Sequence, residues 1–152
     1  MISQTGEYAL RAAVFLARHG VDATVSAQQI AERTRIPVGY LQKILRQLSR
    51  AHLLSSQRGS GGGFALAKVP SAISVLDVLR AVDADIQRIS RCPLGIKGHQ
   101  KLCRLHRLLD EQYAQAERIF GSTSLLALAE ELEDDEAGCR GVIPAPTVTR
   151  PG

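Results

Sequence analysis

The stretch SAQQIAERTRIPVGYLQKILRQLSRA, residues 26–51, followed by LLSSQRGSGGGFALAK, residues 53–68, decides how this chain folds. Ser26 precedes a short apolar-periodic run and has Gln29 three places on. That is the pattern of a capping box, so a helix is expected over residues 27–34. Ile36-Pro37-Val38 opens a second helix. Proline is tolerated in a first turn because its missing N–H had no intrahelical partner there. Leu41, Ile44, Leu45 and Leu48 recur at helical spacing and form its inward face. Residues 53–57 and 64–67 are short β-prone runs around a Gly/Ser-rich tip, which reads as a hairpin with a flexible loop rather than a buried strand pair. A short helix, a tight turn, a basic helix and a glycine-tipped hairpin make the layout of a winged helix-turn-helix, whose second helix enters the DNA major groove.

That layout names the candidate DNA contacts. Val38, Gly39, Tyr40, Gln42 and Lys43 stand near the N-terminus of the second helix, where a docked helix meets base edges. Gln42 suits bidentate bonding to adenine, and Arg46 suits phosphate or guanine. Arg58, with Gly59 and Ser60 on the narrow tip, suits an A·T-rich minor groove of negative potential. Gly59 and Gly61 to Gly63 would let backbone approach phosphates. Gln28, on the first helix of the motif, completes the set. The charge distribution agrees: residues 33–58 carry Arg33, Arg35, Lys43, Arg46, Arg50 and Arg58 and no acid, whereas residues 130–136 are dominated by Asp and Glu. The formal net charge of +4 is compatible with nucleic acid without demanding it. The bland alternative is a solvated basic helix beside an ordinary hairpin.

The rest of the chain reads as helices. Residues 7–18 place Tyr8, Ala12, Phe15 and Leu16 on one face, with Gly20 as the stop. Residues 74–86 form an amphipathic helix with Ser74 as N-cap and Asp77 in its first turn. Residues 90–101 are irregular. From residue 102 to residue 120 an apolar stripe of Leu102, Leu105, Leu109, Ala116, Ile119 and Phe120 finds no later element large enough to cover it, which points to a partner chain. SLLALAEEL is a short terminal helix, and the last residues read as disordered. The fold class is mainly α with a small β-hairpin wing, divided into a winged head at 1–86, a cofactor or sensor loop at 87–103, a dimerisation helix with the short terminal helix at 102–132, and a tail at 133–152. Aromatic residues are 4% of the chain and Trp is absent, so its core must be aliphatic.

RCPLGIKGHQKLCRLH, residues 91–106, sets Cys92, His99, Cys103 and His106 in a loop that runs into a helix. Thiolates and imidazoles so placed can converge on a metal. Zinc in a Cys/His site, a Cys92–Cys103 disulfide switch and a plain loop with two free thiols all fit this spacing. The Cys92-Pro93 pair is also similar to haem-binding Cys-Pro sites. Cys139 is expected to be free.

EYALRAAVFLA (7–17), SAQQIAERTRIPVGYLQKILRQLSRAHLL (26–54) and SSQRGSGGGFALAK (55–68) together resemble the Rrf2 family of bacterial regulators, and the resemblance covers residues 1–130. It implies a symmetric homodimer in which the long C-terminal helix crosses its partner and each head reads half of a palindromic operator, with repression as the expected mode. Sensing members hold an iron–sulfur cluster on three cysteines. Here Cys92 and Cys103 match the outer two, and Lys97-Gly98-His99 occupies the middle place. The resemblance therefore implies a 2Fe–2S cluster on Cys92, Cys103, His106 and Glu7, the last supplied by the other subunit, with His99 as the substitute ligand. Such a cluster would report redox, iron or nitric-oxide state. Arg11 stands where one relative has a ligating histidine.

Other classes are poorly served. No phosphate loop, dinucleotide fingerprint or Gly-x-Ser-x-Gly elbow is present, so no enzyme is expected. A winged helix that binds protein instead of DNA is the remaining alternative. With no secretory leader and no long apolar run, a cytoplasmic location away from membranes is expected.

Overall fold

The structure, a computed structural model, describes residues 2–84, 86–95 and 101–134. Its centre is α1 (Gln4–His19), which starts at Gln4 rather than Glu7 because the Ser3 side chain caps it, accepting from the Gly6 N–H at 3.2 Å. Gly20, at φ 79°, ends it. Ala9, Ala12, Ala13, Phe15 and Leu16 are all buried. The small alanines let neighbours approach closely, so α1 touches four other helices and the second strand of the wing.

The helix-turn-helix follows as read from the sequence. In α2 (Ala27–Thr34) the Ser26/Gln29 capping box is formed in both directions, and Arg35 closes the turn in the left-handed region at φ 55°. Thr34 is buried, and its hydroxyl donates to the Ile30 carbonyl at 2.6 Å. In α3 (Val38–Arg50), Leu41, Ile44, Leu45 and Leu48 are all at most 1% exposed. Burying four such side chains contributes on the order of 1.5–3 kcal/mol each before the entropy of ordering is counted.

The wing pairs β1 (Leu54–Gln57) antiparallel with β2 (Gly63–Leu66), in the register Leu54↔Leu66 to Gln57↔Gly63. One expectation fails here. The pair is not a free hairpin: Gly63, Ala65 and Leu66 are buried, and Phe64 makes a further antiparallel bridge to Val25. The Val25 N–H donates to the Phe64 carbonyl at 2.9 Å, and the Phe64 N–H returns to the Val25 carbonyl at 2.8 Å. This third rung docks β2 on the body of the head.

Past the wing, a single 3-10 turn leads into α4 (Val75–Ala81), which carries the Ser74/Asp77 capping box. It stops at Ala81 instead of running on to residue 86. The chain tightens at Val82, and Asp83 turns left-handed at φ 52°. Then come α5 (Arg104–Ser122) and α6 (Leu125–Asp134). The sequence grouped these two helices together, but α6 packs on α1, with Leu125 and Ala129 buried there. Two backbone bonds hold its start in place: Val75 N–H to the Thr123 carbonyl and Leu125 N–H to the Ile73 carbonyl, both 2.9 Å. By contrast α5 has no buried residue, and Leu105, Leu108 and Ile119 are more than half exposed. Among the described residues, no helix is long and apolar enough to cross a membrane. Of the expected tail, residues 135–152 lie outside the described residues.

Candidate nucleic-acid interface and metal centre

The inward leucines of α3 fix which face is left for solvent. Val38, Gly39, Tyr40, Gln42, Lys43 and Arg46 are all exposed on that face. Arg58, Gly59 and Ser60 are exposed at the wing tip, with Gly59 at φ 97°. Gln28 is exposed on α2, where its side-chain amide donates to Glu32 Oε1 at 3.0 Å. Tyr40 has a second attachment that the sequence did not suggest. Its hydroxyl lies 2.6 Å from Thr5 Oγ1, and its ring meets Tyr8 edge-on with centroids 5.7 Å apart. It therefore braces α3 against α1 while 40% of it stays exposed.

Gly62 and Gly63, expected to let backbone approach phosphates, have a structural reason of their own. A Cβ on Gly63 would sit 2.4 Å from the Val25 carbonyl oxygen, and one on Gly62 would sit 2.4 Å from that of Gln57. Both glycines are needed inside the protein, where backbone meets backbone.

The sulfur site forms where the irregular segment 86–95 meets the start of α5. Cys103 is the N-cap residue of α5, and His106 follows in its first turn, so the i, i+3 spacing puts both on one face. Cys92 comes in from the segment. The Cys103 and Cys92 sulfurs lie 3.1 and 3.6 Å from His106 Nδ1, and the three candidate ligand atoms are all within 4.8 Å of one another. Neither cysteine forms a disulfide, and all three residues are half-buried. The His106 backbone N–H at the helix start pulls the Cys103 thiol below its ordinary pKa; partial burial opposes this, and Cys92 and the Leu105 N–H assist it. Two sulfurs and a ring nitrogen this close suit a soft or borderline metal, iron and zinc included.

The other expected ligands stand elsewhere. Glu7 is exposed on α1 and ion-paired with Arg11; it is not part of the Cys92–Cys103–His106 group of its own chain. Arg11 also donates to the Thr34 carbonyl at 3.1 Å and lies over the Tyr8 ring. His99 and Cys139 lie outside the described residues.

Charged residues that sequence reading missed hold the segment in place. Arg88 grips Asp110 of α5 with two bonds of 2.7 Å, and the Ile89 N–H donates to the same carboxylate at 2.9 Å. The Arg88 guanidinium, with help from the Ile89 N–H, lowers the Asp110 pKa to about 2. Arg88 also lies 3.7 Å from Glu117, which pairs with Arg80 of α4 at 2.8 Å. Arg88 and Asp110 are 22 positions apart, so no periodicity or cap signals the pair.

Comparison with known proteins points the same way. Residues 2–131 match the model of the Rrf2 family, described as "Iron-dependent Transcriptional regulator". The chain is 34% identical over 137 residues to the HTH-type transcriptional regulator IscR of Yersinia pseudotuberculosis, covering 89% of this chain and 80% of that one. Among solved structures, IscR of T. potens superimposes with a TM-score of 0.74 at 25% identity, covering 91% of this chain and 92% of that chain. CymR, the global cysteine regulator of B. subtilis, superimposes with a TM-score of 0.73 at 25% identity, covering 86% and 97%.

Proposed function

The chain belongs to the Rrf2 family of transcriptional regulators, and from that premise we propose that it is a homodimeric repressor whose grip on a palindromic operator depends on an iron–sulfur cluster. The observation that carries the reading is the convergence of Cys92, Cys103 and His106 at the start of α5. Two thiolates and an imidazole are a sound partial donor set for a 2Fe–2S centre, and Glu7 of the partner subunit or His99 would complete it. When bound, such a centre supplies an electron-accepting group that oxidants or nitric oxide can alter. The chain's own residues do the rest. Cys103 offers a thiolate at a helix N-terminus, where the thiolate form is favoured. The exposed face of α3 and Arg58 supply base and phosphate contacts. Glu7 shares α1 with Tyr8, which touches Tyr40 of α3, so a ligand exchange at Glu7 would bear on the reading helix.

In this reading, residues 1–86 act as the head, 87–103 as the sensor loop and the exposed stripe of α5 as the dimer seam. The test is purification without oxygen, followed by iron and sulfide analysis, visible absorption, and operator binding of the loaded and stripped protein. A coloured, iron-containing dimer whose operator affinity changes on stripping is expected. A colourless, iron-free protein whose affinity ignores Cys92→Ala refutes the reading. A second reading, a single zinc ion or a thiol switch at Cys92 and Cys103, is favoured by the tightness of the group. Tetrahedral ligation at Zn–S ≈ 2.3 Å puts ligand atoms ~3.8 Å apart, within the spread observed.

A further inference from the structure

We propose that Asp110 is a positioning residue for the sulfur site: together with Arg88 it staples the segment entering Cys92 onto α5 and so fixes the gap between Cys92 and the Cys103–His106 pair. This rests on the reading of Cys92, Cys103 and His106 as a ligand group.

Cys103 and His106 are set by α5 itself, one as its N-cap and the other a turn in. Cys92 has no such support. It lies on a segment without regular structure, between α4 and α5, next to Pro93 and close to Gly95 at φ 63°. A thiol on such a segment samples many positions, and holding it near two fixed ligands costs ordering entropy. The staple lies three and four residues upstream, at Ile89 and Arg88. The Asp110 carboxylate accepts three bonds, two from the Arg88 guanidinium and one from the Ile89 N–H. It thus fixes a side chain and a backbone at adjacent positions, which sets both the place and the direction of the chain. Asp110 lies one helical turn beyond His106, so the anchor and the ligand share a face of α5. A bidentate Arg–carboxylate pair is geometrically specific, which a point-charge contact is not. The side chain of Asp110 is also only 17% exposed, so the staple is not a loose surface pair.

Two measurements on the full chain test this in a Cys139→Ser background. The first uses metal-free protein and diamide, which takes two electrons and two protons as Cys92 and Cys103 form a disulfide. Asp110→Asn should slow this closure several-fold, because the two thiols meet less often. The second uses Co(II), whose sulfur charge-transfer band reports ligating thiolates, with a competing chelator to measure affinity. Asp110→Asn should weaken Co(II) binding by ~10–100-fold, the usual effect of losing a group that orients a ligand. Arg88→Ala should match it, and the double variant should be no worse than either single one, as for two residues acting as a unit. Asp110→Glu should recover part of the affinity. Thermal melts of the same variants guard against global unfolding. If wild type fails to bind Co(II) through both sulfurs, the ligand reading fails, and the disulfide rate alone decides the staple. If Asp110→Asn closes the disulfide at the wild-type rate, or binds Co(II) as wild type does, the staple is refuted.

Discussion

Gly63→Ala tests whether the wing is a docked strand or a loose hairpin. The new Cβ would lie 2.4 Å from the Val25 carbonyl oxygen, 2.5 Å from its carbon and 2.9 Å from the Ser26 nitrogen. All three are backbone atoms, so no flexible side chain can swing aside. Relief requires β2 and the Val25 backbone to separate by roughly 1 Å, which takes the reciprocal Val25–Phe64 bonds of 2.9 and 2.8 Å out of range. Two such bonds are worth ~1 kcal/mol each. Disturbing the Ser26 cap beside them adds up to about 1 kcal/mol. The expected loss is therefore about 2–3 kcal/mol, which lowers Tm by roughly 4–12 °C for a chain of this size. Gly59→Ala is the control. It has φ 97° and nothing within 4 Å of its added Cβ, so it meets only backbone strain, worth ~1 kcal/mol. Urea melts followed by circular dichroism would measure both. A Gly63→Ala protein within ~0.5 kcal/mol of wild type, the size of an ordinary surface change, would refute the docked wing.

Other consequences follow from single residues. Ser74→Ala removes the hydroxyl that accepts from the Asp77 N–H and donates to the Asp77 carboxylate, so stability should fall by ~1 kcal/mol with an unchanged m-value. Asp110 has a folded pKa of about 2, below the ordinary ~3.9, so its contribution is fully present above pH ~4 and is lost as pH falls toward 2. Urea midpoints between pH 5 and 2 should thus fall less steeply in Asp110→Asn than in wild type, and parallel curves would contradict the staple. Arg58→Ala should weaken operator binding and reduce the salt slope by about one, as for a lost phosphate contact. Gln42→Ala should relax base preference at one operator position by ~1–3 kcal/mol, readable in a competition series of operator variants.

What the sequence made legible was local. The capping box at Ser26 and the N-cap at Ser74 need only nearby residues, and both are present as read, with Asp77 completing a second box at Ser74. The α3 core face needs only the helical period, and its four expected residues are buried. Cys103 and His106 likewise share a helix face at i, i+3. Each of these depends on one stretch of chain adopting one conformation. Cys92 is a candidate by its place in the Cys/His run of residues 91–106, and the resemblance matches it to an outer cysteine, but nothing in its own segment forces it toward α5.

The features that escaped the sequence have distant partners. Gly63 reads as part of a flexible tip because its reason is the carbonyl of Val25, a single bridging residue just before α2. The terminal helix was grouped with α5 because apolar spacing says that a face is buried without saying against what; the answer is α1, at the other end of the chain. Arg88 and Asp110 carry no local signal in the sequence, and only the fold brings them to 2.7 Å. These long-range pairings tie the sulfur site to the rest of the molecule. Arg88 reaches Glu117, and Glu117 reaches Arg80 on α4, which packs on α1. Exposed pairs of this kind add little stability, ~0.2–1 kcal/mol each. Their consequence is geometric: a displacement of the Cys92 segment cannot leave α4 and α5 untouched unless these contacts break. The candidate ligands can therefore be read from a motif, whereas the ion pairs that join their segment to α4 and α5 involve charges that no motif records.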